Sequence, residues 1–180
     1  LFPDVKIKLT NHSTNQAVNA LKAGLVDFAV VTTPVNLTND MKSENLCSFN
    51  DILIAGPKYK QLCNKALHLE ELQEYPFISL VEGTGTHDHY TKFFYDNDLH
   101  FNLDMEASTT DQVLAMVQSN LGLGFYPEQL ASEYIMRGEI FPVSLHESVP
   151  ERDIILIRES RHAENIAAKK LINFLKHTTN

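Results

Sequence analysis

Short apolar runs alternate with helical patterns along nearly all of this 180-residue chain, and few folds accommodate that order. The clearest case lies between Pro76 and Tyr95. There the apolar run at residues 77–81 suits a buried parallel strand, and two glycines, Gly83 and Gly85, follow it. Thr86 can then cap a helix with apolar residues at i, i+3 and i+4. The alternation predicts parallel sheets with helices on both faces, which is an α/β protein.

Two other junctions between a strand and a helix carry side chains that typically begin a helix. Ser13 with Gln16, and Thr109 with Gln112, stand in capping-box register ahead of apolar residues at helical spacing. An alternating apolar pattern at residues 5–9 precedes the first junction and predicts a strand with one buried face. We expect further strands at residues 28–31, 52–55, 101–107, 121–126 and 154–157, a polar loop at 32–45, and a last helix carrying Ala167, Leu171, Phe174 and Leu175.

The three junctions, at residues 11–14, 82–86 and 108–110, share a chemistry that suits an anion. Ligands of open α/β sheets bind beyond the carboxyl ends of the strands, where helix N-termini present free backbone N–H groups. The three junctions could therefore line one cleft, although each alone is also compatible with an ordinary turn between a strand and a helix. Nucleotide binding is not indicated, because Asp88 stands where a dinucleotide fingerprint has its third glycine and no phosphate-loop motif follows.

Composition excludes several classes of function. The 15 basic and 23 acidic residues give a net charge of −8, which opposes contact with a nucleic-acid backbone. No apolar run approaches the length of a membrane span, and no basic-then-apolar leader opens the sequence. Two cysteines, Cys47 and Cys63, are too few for a disulfide framework and fit a reducing cytoplasm. We expect a cytoplasmic protein that does not itself contact a membrane.

Three segments resemble the effector-binding domain of LysR-type transcriptional regulators: FPDVKIKL at residues 2–9, LKAGLVDFAV at 21–30 and MVQSNLGLGFYP at 116–127. The resemblance extends in order over essentially the whole chain. It implies an α/β fold of two Rossmann-like lobes, like type II periplasmic binding proteins, with a ligand cleft between them. Lobe one would comprise residues 1–57 and 144–180, and lobe two residues 58–143.

The family pattern also places one strand and most of a helix ahead of residue 1. Either the printed sequence begins late, or lobe one lacks its first strand and helix.

By the same resemblance, a small effector would lie between the lobes and regulate transcription. It would touch positions that match Ser13, Thr14, Gly83, Thr84, Gly85, Thr86, Thr109 and Thr110, and we add Phe125 as a side-chain wall. Hydroxyl groups and backbone amides would hold a carboxylate or similar head group without a buried countercharge. Binding would shift the angle between the lobes and re-space attached DNA-binding domains.

Partner expectations follow from the family. Two such domains would pair antiparallel as a homodimer, with residues 13–24 as a candidate face, and the full-length protein would be a tetramer. DNA would be contacted only through an N-terminal winged-helix domain that this sequence does not contain.

Two other functional classes remain open on sequence alone. A solute-binding protein of an ABC-type transporter has the same two-lobed fold, and a signal peptide or lipid anchor would favour it. A small α/β enzyme is a third reading, but no Gly-x-Ser-x-Gly motif and no recognisable Ser, His and Asp set supports it. We therefore expect a protein that is not an enzyme and needs no cofactor.

Several residues of types that can bind metals, bind ligands or react chemically have simpler structural explanations. His87, Asp88 and His89 include metal-ligand types, but neighbouring residues on a helix point in different directions, so we expect no metal site. His87 could instead help to hold an anionic effector. Ser79 is expected to be a hydrogen-bonded core residue, and the positions of Cys47 and Cys63 predict no thiol switch.

Overall fold

The computed structural model describes residues 5–160 and 165–178, so the first residues of the segment at 2–9 lie outside the described part. The helices are α1 Thr14–Lys22, α2 Gly85–Tyr95, α3 Thr110–Gln118, α4 Glu128–Met136 and α5 Ile166–Thr178. The strands are β1 Ala29–Thr32, β2 Met41–Phe49, β3 Asp51–Ala55, β4 Phe77–Leu80, β5 Met105–Ala107, β6 Leu123–Pro127, β7 Phe141–Val143 and β8 Arg152–Glu159. Two 3₁₀ helices, Pro57–Asn64 and Leu69–Glu74, connect β3 to β4.

The chain divides into two compact units. Unit 1 comprises the described residues up to Ser48 and from Asp153 onward, and unit 2 comprises Phe49–Arg152. The lobe boundaries expected from the sequence, after residues 57 and 143, both fall within the range of unit 2. The difference arises because β3 and β7 pair within the sheet of unit 2.

Unit 2 contains a five-stranded sheet with the order β5-β4-β6-β3-β7. β4 runs parallel to β5 and β6, as the apolar run predicted, whereas β3 runs antiparallel to both β6 and β7. The expectation of parallel sheets is therefore right for β4 and its two neighbours and wrong for β3, so the sheet is mixed. Sequence alternation indicates which elements occur but does not reveal that β3 lies between two strands of opposite direction.

Side chains that alternate along these strands build one core on each face of the sheet. Leu53, Phe77 and Phe125 pack with the aromatic residues of α2 and with the 3₁₀ helices. Ile54 and Ile78 point the other way and pack with α3 and α4. Helices on both faces are thus confirmed, and the sheet holds the starts of α2 and α3 in fixed positions.

Unit 1 contains a three-stranded sheet with the order β1-β8-β2, in which β1 and β8 are antiparallel. Val18 and Leu21 of α1 pack on this sheet with Val31, Met41 and Ile157. β2 was not predicted, because its first half falls in the polar stretch that was assigned to a loop.

The strand predicted at residues 5–9 is absent from the described residues, which show no regular structure between 5 and 13. Val5, Ile7 and Leu9 are 43%, 69% and 92% exposed. An alternating pattern makes a strand only where a neighbouring strand satisfies its backbone and a core covers its apolar face.

Within the residues that the structure describes, no helix combines the length and the apolar character needed to cross a membrane.

Candidate functional site

The start of α2 is held by Thr84 and not by Thr86 as the sequence suggested. The hydroxyl of Thr84 accepts the N–H of His87 at 3.2 Å and donates to the carbonyl of Val81 at 2.9 Å. Gly83 precedes this cap with φ +81°, a conformation that favours glycine. Thr86 therefore lies in the first turn of α2, where its side chain is not used for capping.

The start of α3 has the predicted capping box. The side chain of Thr109 accepts the backbone N–H of Gln112, and the side chain of Gln112 accepts the N–H of Thr109 and also that of Ser108. Thr110 is the first helical residue. Two helix N-termini, each with a partial positive charge, thus follow the parallel strands β4 and β5.

A small cavity of about 20 Å³, lined by both polar and apolar side chains, lies beside these two helix starts within unit 2. That volume is enough for about one water molecule. The cavity is lined by Asp51, Ser79, Leu80, Thr86, Tyr90, Thr110, Val113, Phe125, Pro127 and Arg152.

A buried ion pair forms part of the cavity wall. Nη1 of Arg152 lies 3.1 Å from Oδ2 of Asp51, and the two side chains are 4% and 1% exposed. Nη2 of Arg152 donates to Oγ1 of Thr86 at 2.8 Å, and the guanidinium lies over the ring of Phe49 at 5.2 Å. The cavity wall thus contains a buried cation whose charge is balanced by Asp51, and a ligand held without a buried countercharge stays a prediction.

Tyr90 links the ion pair to the aromatic core. Its ring stacks on Phe125 with 4.6 Å between centroids and 24° between planes. Burial, reinforced by the negative charge of Asp51, raises the pKa of the Tyr90 hydroxyl well above its ordinary value. The hydroxyl therefore stays protonated beside the ion pair.

His89 lies next to Tyr90 on α2, close enough to the ion pair for both of its charges to affect the imidazole. Burial and the nearby positive charge of Arg152 lower the pKa of His89 to about 4, against the weaker opposing effects of Asp51 and of a hydrogen bond to the Pro150 carbonyl. Nε2 is buried without a hydrogen-bond partner among the described residues. His89 is thus neutral at physiological pH.

The structure brings together only part of the predicted set. Thr86, Thr110 and Phe125 line the cavity. Thr84 and Thr109 act as helix caps, and Gly83 and Gly85 contribute backbone at the start of α2.

The predicted site residues of unit 1 also have local roles. The hydroxyl of Ser13 caps α1 through a capping box with Gln16, as predicted. The hydroxyl of Thr14 donates to the carbonyl of Thr32 at 3.3 Å.

Sequence reasoning missed the charged residues of the cavity. Asp51 and Arg152 each stand one or two positions ahead of an expected apolar strand, and a charge at such a place is usually solvated. Tyr90 was assigned to the apolar face of α2, and Ser79 to the core. Ser79 is indeed buried, and it also lines the cavity.

His87 is not among the residues that line the cavity. Its ring packs against Phe101 with 5.6 Å between centroids, and its Nδ1 lies 3.4 Å from the hydroxyl of Thr91. Over residues 5–160 and 165–178, no group of three or more His, Cys, Asp or Glu side chains could hold a metal ion. Burial raises the pKa of the Cys63 thiol, which makes it less reactive.

Comparison with known proteins gives concordant results. A family model described as the LysR substrate binding domain matches residues 1–180. The HTH-type transcriptional regulator CysB of Haemophilus influenzae is 29% identical over 124 residues, which cover 68% of this chain and 38% of CysB. The chain spans about two fifths of the length of the first curated relatives that it matches.

Two solved structures share the fold. One is the regulatory domain of CcmR from Synechocystis PCC6803 in complex with 2-PG, with a TM-score of 0.87, 13% identity, and coverage of 99% of this chain and 86% of that one. The other is the effector binding domain of QuiR in complex with shikimate, with a TM-score of 0.81, 15% identity, and coverage of 93% and 78%. Identities this low establish the fold alone.

Proposed function

The chain belongs to the LysR substrate binding domain family, and we propose that it is the effector-sensing domain of a transcription factor and binds a small anion at the cavity of unit 2. Its curated relatives are transcriptional regulators, not enzymes. The mechanism is non-covalent, so recognition depends on hydrogen bonds and charge alone.

One observation supports the anionic effector above the others: two helix N-termini meet at one cavity. Asp51 cancels the full charge of Arg152, so the partial positive charges of the two helix N-termini determine the sign of the electrostatic potential at the cavity. Each helix N-terminus favours a nearby negative charge by about 0.3–1 kcal/mol. The hydroxyls of Thr86 and Thr110 add donors at the same place.

The solved relatives agree with a small-molecule ligand. The CcmR regulatory domain is in complex with 2-PG and the QuiR domain with shikimate. Because the cavity of this chain is small, we propose that it receives only the charged head group of the effector. Ser13 and Thr14 of unit 1, and the backbone at Gly83, Thr84, Gly85 and Thr109, stay predicted ligand contacts.

The wider assembly is part of the proposal. The full-length regulator would be cytoplasmic, contact DNA through a separate winged-helix domain and assemble as a homodimer or tetramer. Light scattering of this chain at micromolar concentration tests the dimer, since a monomeric mass would count against it.

A ligand screen tests the proposed site. We would measure thermal unfolding with small carboxylates, phosphate and sulfate, for the wild type and for Thr110→Val, which removes a cavity hydroxyl at nearly constant volume. A ligand at about a hundred times its dissociation constant stabilises the folded protein by about 2.7 kcal/mol.

The matched control is Thr91→Val, which removes an exposed hydroxyl on α2 outside the cavity. We expect the stabilisation to weaken in Thr110→Val and to persist in Thr91→Val. Equal responses of the two variants would contradict the assignment of the cavity.

A further inference from the structure

The hydrogen bond between Arg152 and Thr86 fixes which way the Thr86 hydroxyl points. Nη2 of Arg152 lies 2.8 Å from Oγ1 of Thr86. A guanidinium has donors only, so the hydroxyl oxygen must accept in this contact. The hydroxyl proton is then left for a different acceptor, and Thr86 lines the cavity.

Arg152 cannot easily turn to relax this arrangement. Its guanidinium is held by Asp51 at 3.1 Å and lies over the Phe49 ring, in a region where both charged side chains are almost fully buried. Moving it away would leave the Asp51 carboxylate buried without its cation, which is strongly unfavourable. The direction of the Thr86 hydroxyl is therefore set by the core of unit 2.

Asp51 interacts with other side chains of unit 2. It accepts from Nη1 of Arg152 at 3.1 Å, and the neighbouring Tyr90 hydroxyl remains protonated because burial raises its pKa. Asp51 thus supplies the charge that balances Arg152.

We propose that Arg152 is a positioning residue that makes the cavity selective for a head group with acceptor atoms only, a carboxylate, over an isosteric primary amide. This inference rests on the proposed anion site. It adds that the site distinguishes between two head groups of equal shape. A primary amide has one acceptor oxygen where a carboxylate has two. If that oxygen accepts the proton of Thr86, the NH₂ group faces the donors of the helix starts, and one hydrogen bond is lost.

Acetate and acetamide are the probes, because they differ only in the head group. Binding would be followed by the shifts of the Thr86 and Thr110 backbone amides in ¹H–¹⁵N spectra of the whole chain. We expect the wild type to prefer acetate by roughly tenfold or more, the effect of one lost hydrogen bond. Thr86→Ser, which keeps the hydroxyl, should retain the preference, and Thr86→Val should lose most of the acetate affinity.

The decisive variant is the double change Asp51→Asn with Arg152→Gln, which removes both charges together and avoids an unpaired buried ion. The Gln amide can donate or accept, so the Thr86 hydroxyl becomes free to turn. We expect the preference for acetate to fall to about threefold or less, since the difference of one hydrogen bond disappears. Arg152→Lys keeps a donor with a positive charge and should preserve the preference if its spectrum stays native.

The outcomes separate the two levels of proposal. A wild type that prefers acetate together with a double variant that prefers it equally would overturn the role of Arg152 and leave the anion site standing. A wild type whose cavity amides respond to neither acetate nor phosphate would overturn the anion site and this inference with it.

Discussion

At the scale of single residues, burial decides which charges unit 2 can hold. Arg152 and Asp51 are separated by 101 positions in sequence. Each balances the charge of the other in the core, where an unpaired charge would be strongly unfavourable. Their pairing also determines the state of the groups around them. Tyr90 stays protonated beside the carboxylate, and His89 stays neutral beside the guanidinium.

His89 should make stability depend on pH below neutrality. Burial, followed by the charge of Arg152, lowers its pKa in the folded state from 6.5 to about 4. Between pH 6.5 and about pH 4 the unfolded chain binds a proton at His89 that the folded protein does not bind. The free energy of unfolding therefore falls as the pH falls through that range. Denaturant unfolding at several pH values from 4 to 7.5 should show a weaker dependence in His89→Asn than in the wild type.

His100→Asn is the matched control for this change, because His100 is exposed. It should leave the pH dependence of the wild type nearly unaltered. A His89→Asn protein whose stability falls with acid as steeply as the wild type would show that His89 is not the group responsible.

Gly122 is a position where even a methyl group has no room. A Cβ atom there would lie 2.4 Å from the carbonyl oxygen of Pro76. That carbonyl cannot shift freely, because it accepts the N–H of Leu123 at 2.9 Å. We expect Gly122→Ala to lower the free energy of unfolding by about 2 kcal/mol or more, as overpacking usually does.

Gly138→Ala serves as the comparison, since a Cβ at Gly138 meets nothing within 4 Å and only its φ of +69° opposes the change. Its cost should be about 1 kcal/mol. Urea unfolding of both variants measures the difference, and a smaller loss in Gly122→Ala than in Gly138→Ala would be inconsistent with the close contact to Pro76.

At the scale of elements, the turn after α3 also supports the first 3₁₀ helix. Asn120 has φ +62°, and its Oδ1 accepts the N–H of Lys58 at 2.6 Å, one residue after Pro57 begins that helix. Asn120→Ala loses both the tolerance of positive φ and the hydrogen bond, whereas Asn120→Gly loses only the bond. We expect Asn120→Gly to cost about 1 kcal/mol and Asn120→Ala about 2 kcal/mol.

Asn120→Asp keeps an acceptor for Lys58 and should stay nearest to the wild type in chemical unfolding. If the Asp, Gly and Ala variants were equally stable, Asn120 would have no specific part in joining the two elements.

The elements that could be predicted are those whose signals lie within a few residues. The capping boxes at Ser13 and Thr109 are confirmed because a cap is a local arrangement of side chain and backbone. The strand at residues 5–9 was wrong and β7 was missed, because a strand depends on partners far away in sequence. β7 even contains Pro142, which its position at the edge of the sheet allows.

The residues of the candidate site likewise divide into those with a local sequence signal and those without one. Thr86 and Thr110 were found because each stands at a junction between a strand and a helix, whereas Asp51 and Arg152 become recognisable only when the fold brings them together. The family proposed from three short segments is confirmed by the match over residues 1–180. The α/β fold that it implied is confirmed by the similarity to solved regulatory domains.

At the scale of the whole molecule, the two neighbouring residues Arg152 and Asp153 belong to different units. Arg152 bonds to Asp51 and Thr86 in unit 2. The carboxylate of Asp153 accepts from Asn45 and Ser48, both in unit 1. The division between the units is therefore sharp along the chain, and unit 2 is one continuous stretch of sequence with its own sheet and cores.

We therefore expect residues 49–152 to fold when produced alone, because they retain all five strands of the sheet and the buried pair of Asp51 with Arg152. Residues 58–143, the second lobe as expected from the sequence, lack β3. That strand supplies hydrogen bonds to both β6 and β7, so its removal leaves β7 without a partner and exposes the apolar edge of β6. Dispersed amide spectra and a single cooperative unfolding transition for 49–152, with neither for 58–143, would support the division near Phe49 and Arg152. Cooperative unfolding of the shorter fragment would instead support the boundaries after residues 57 and 143.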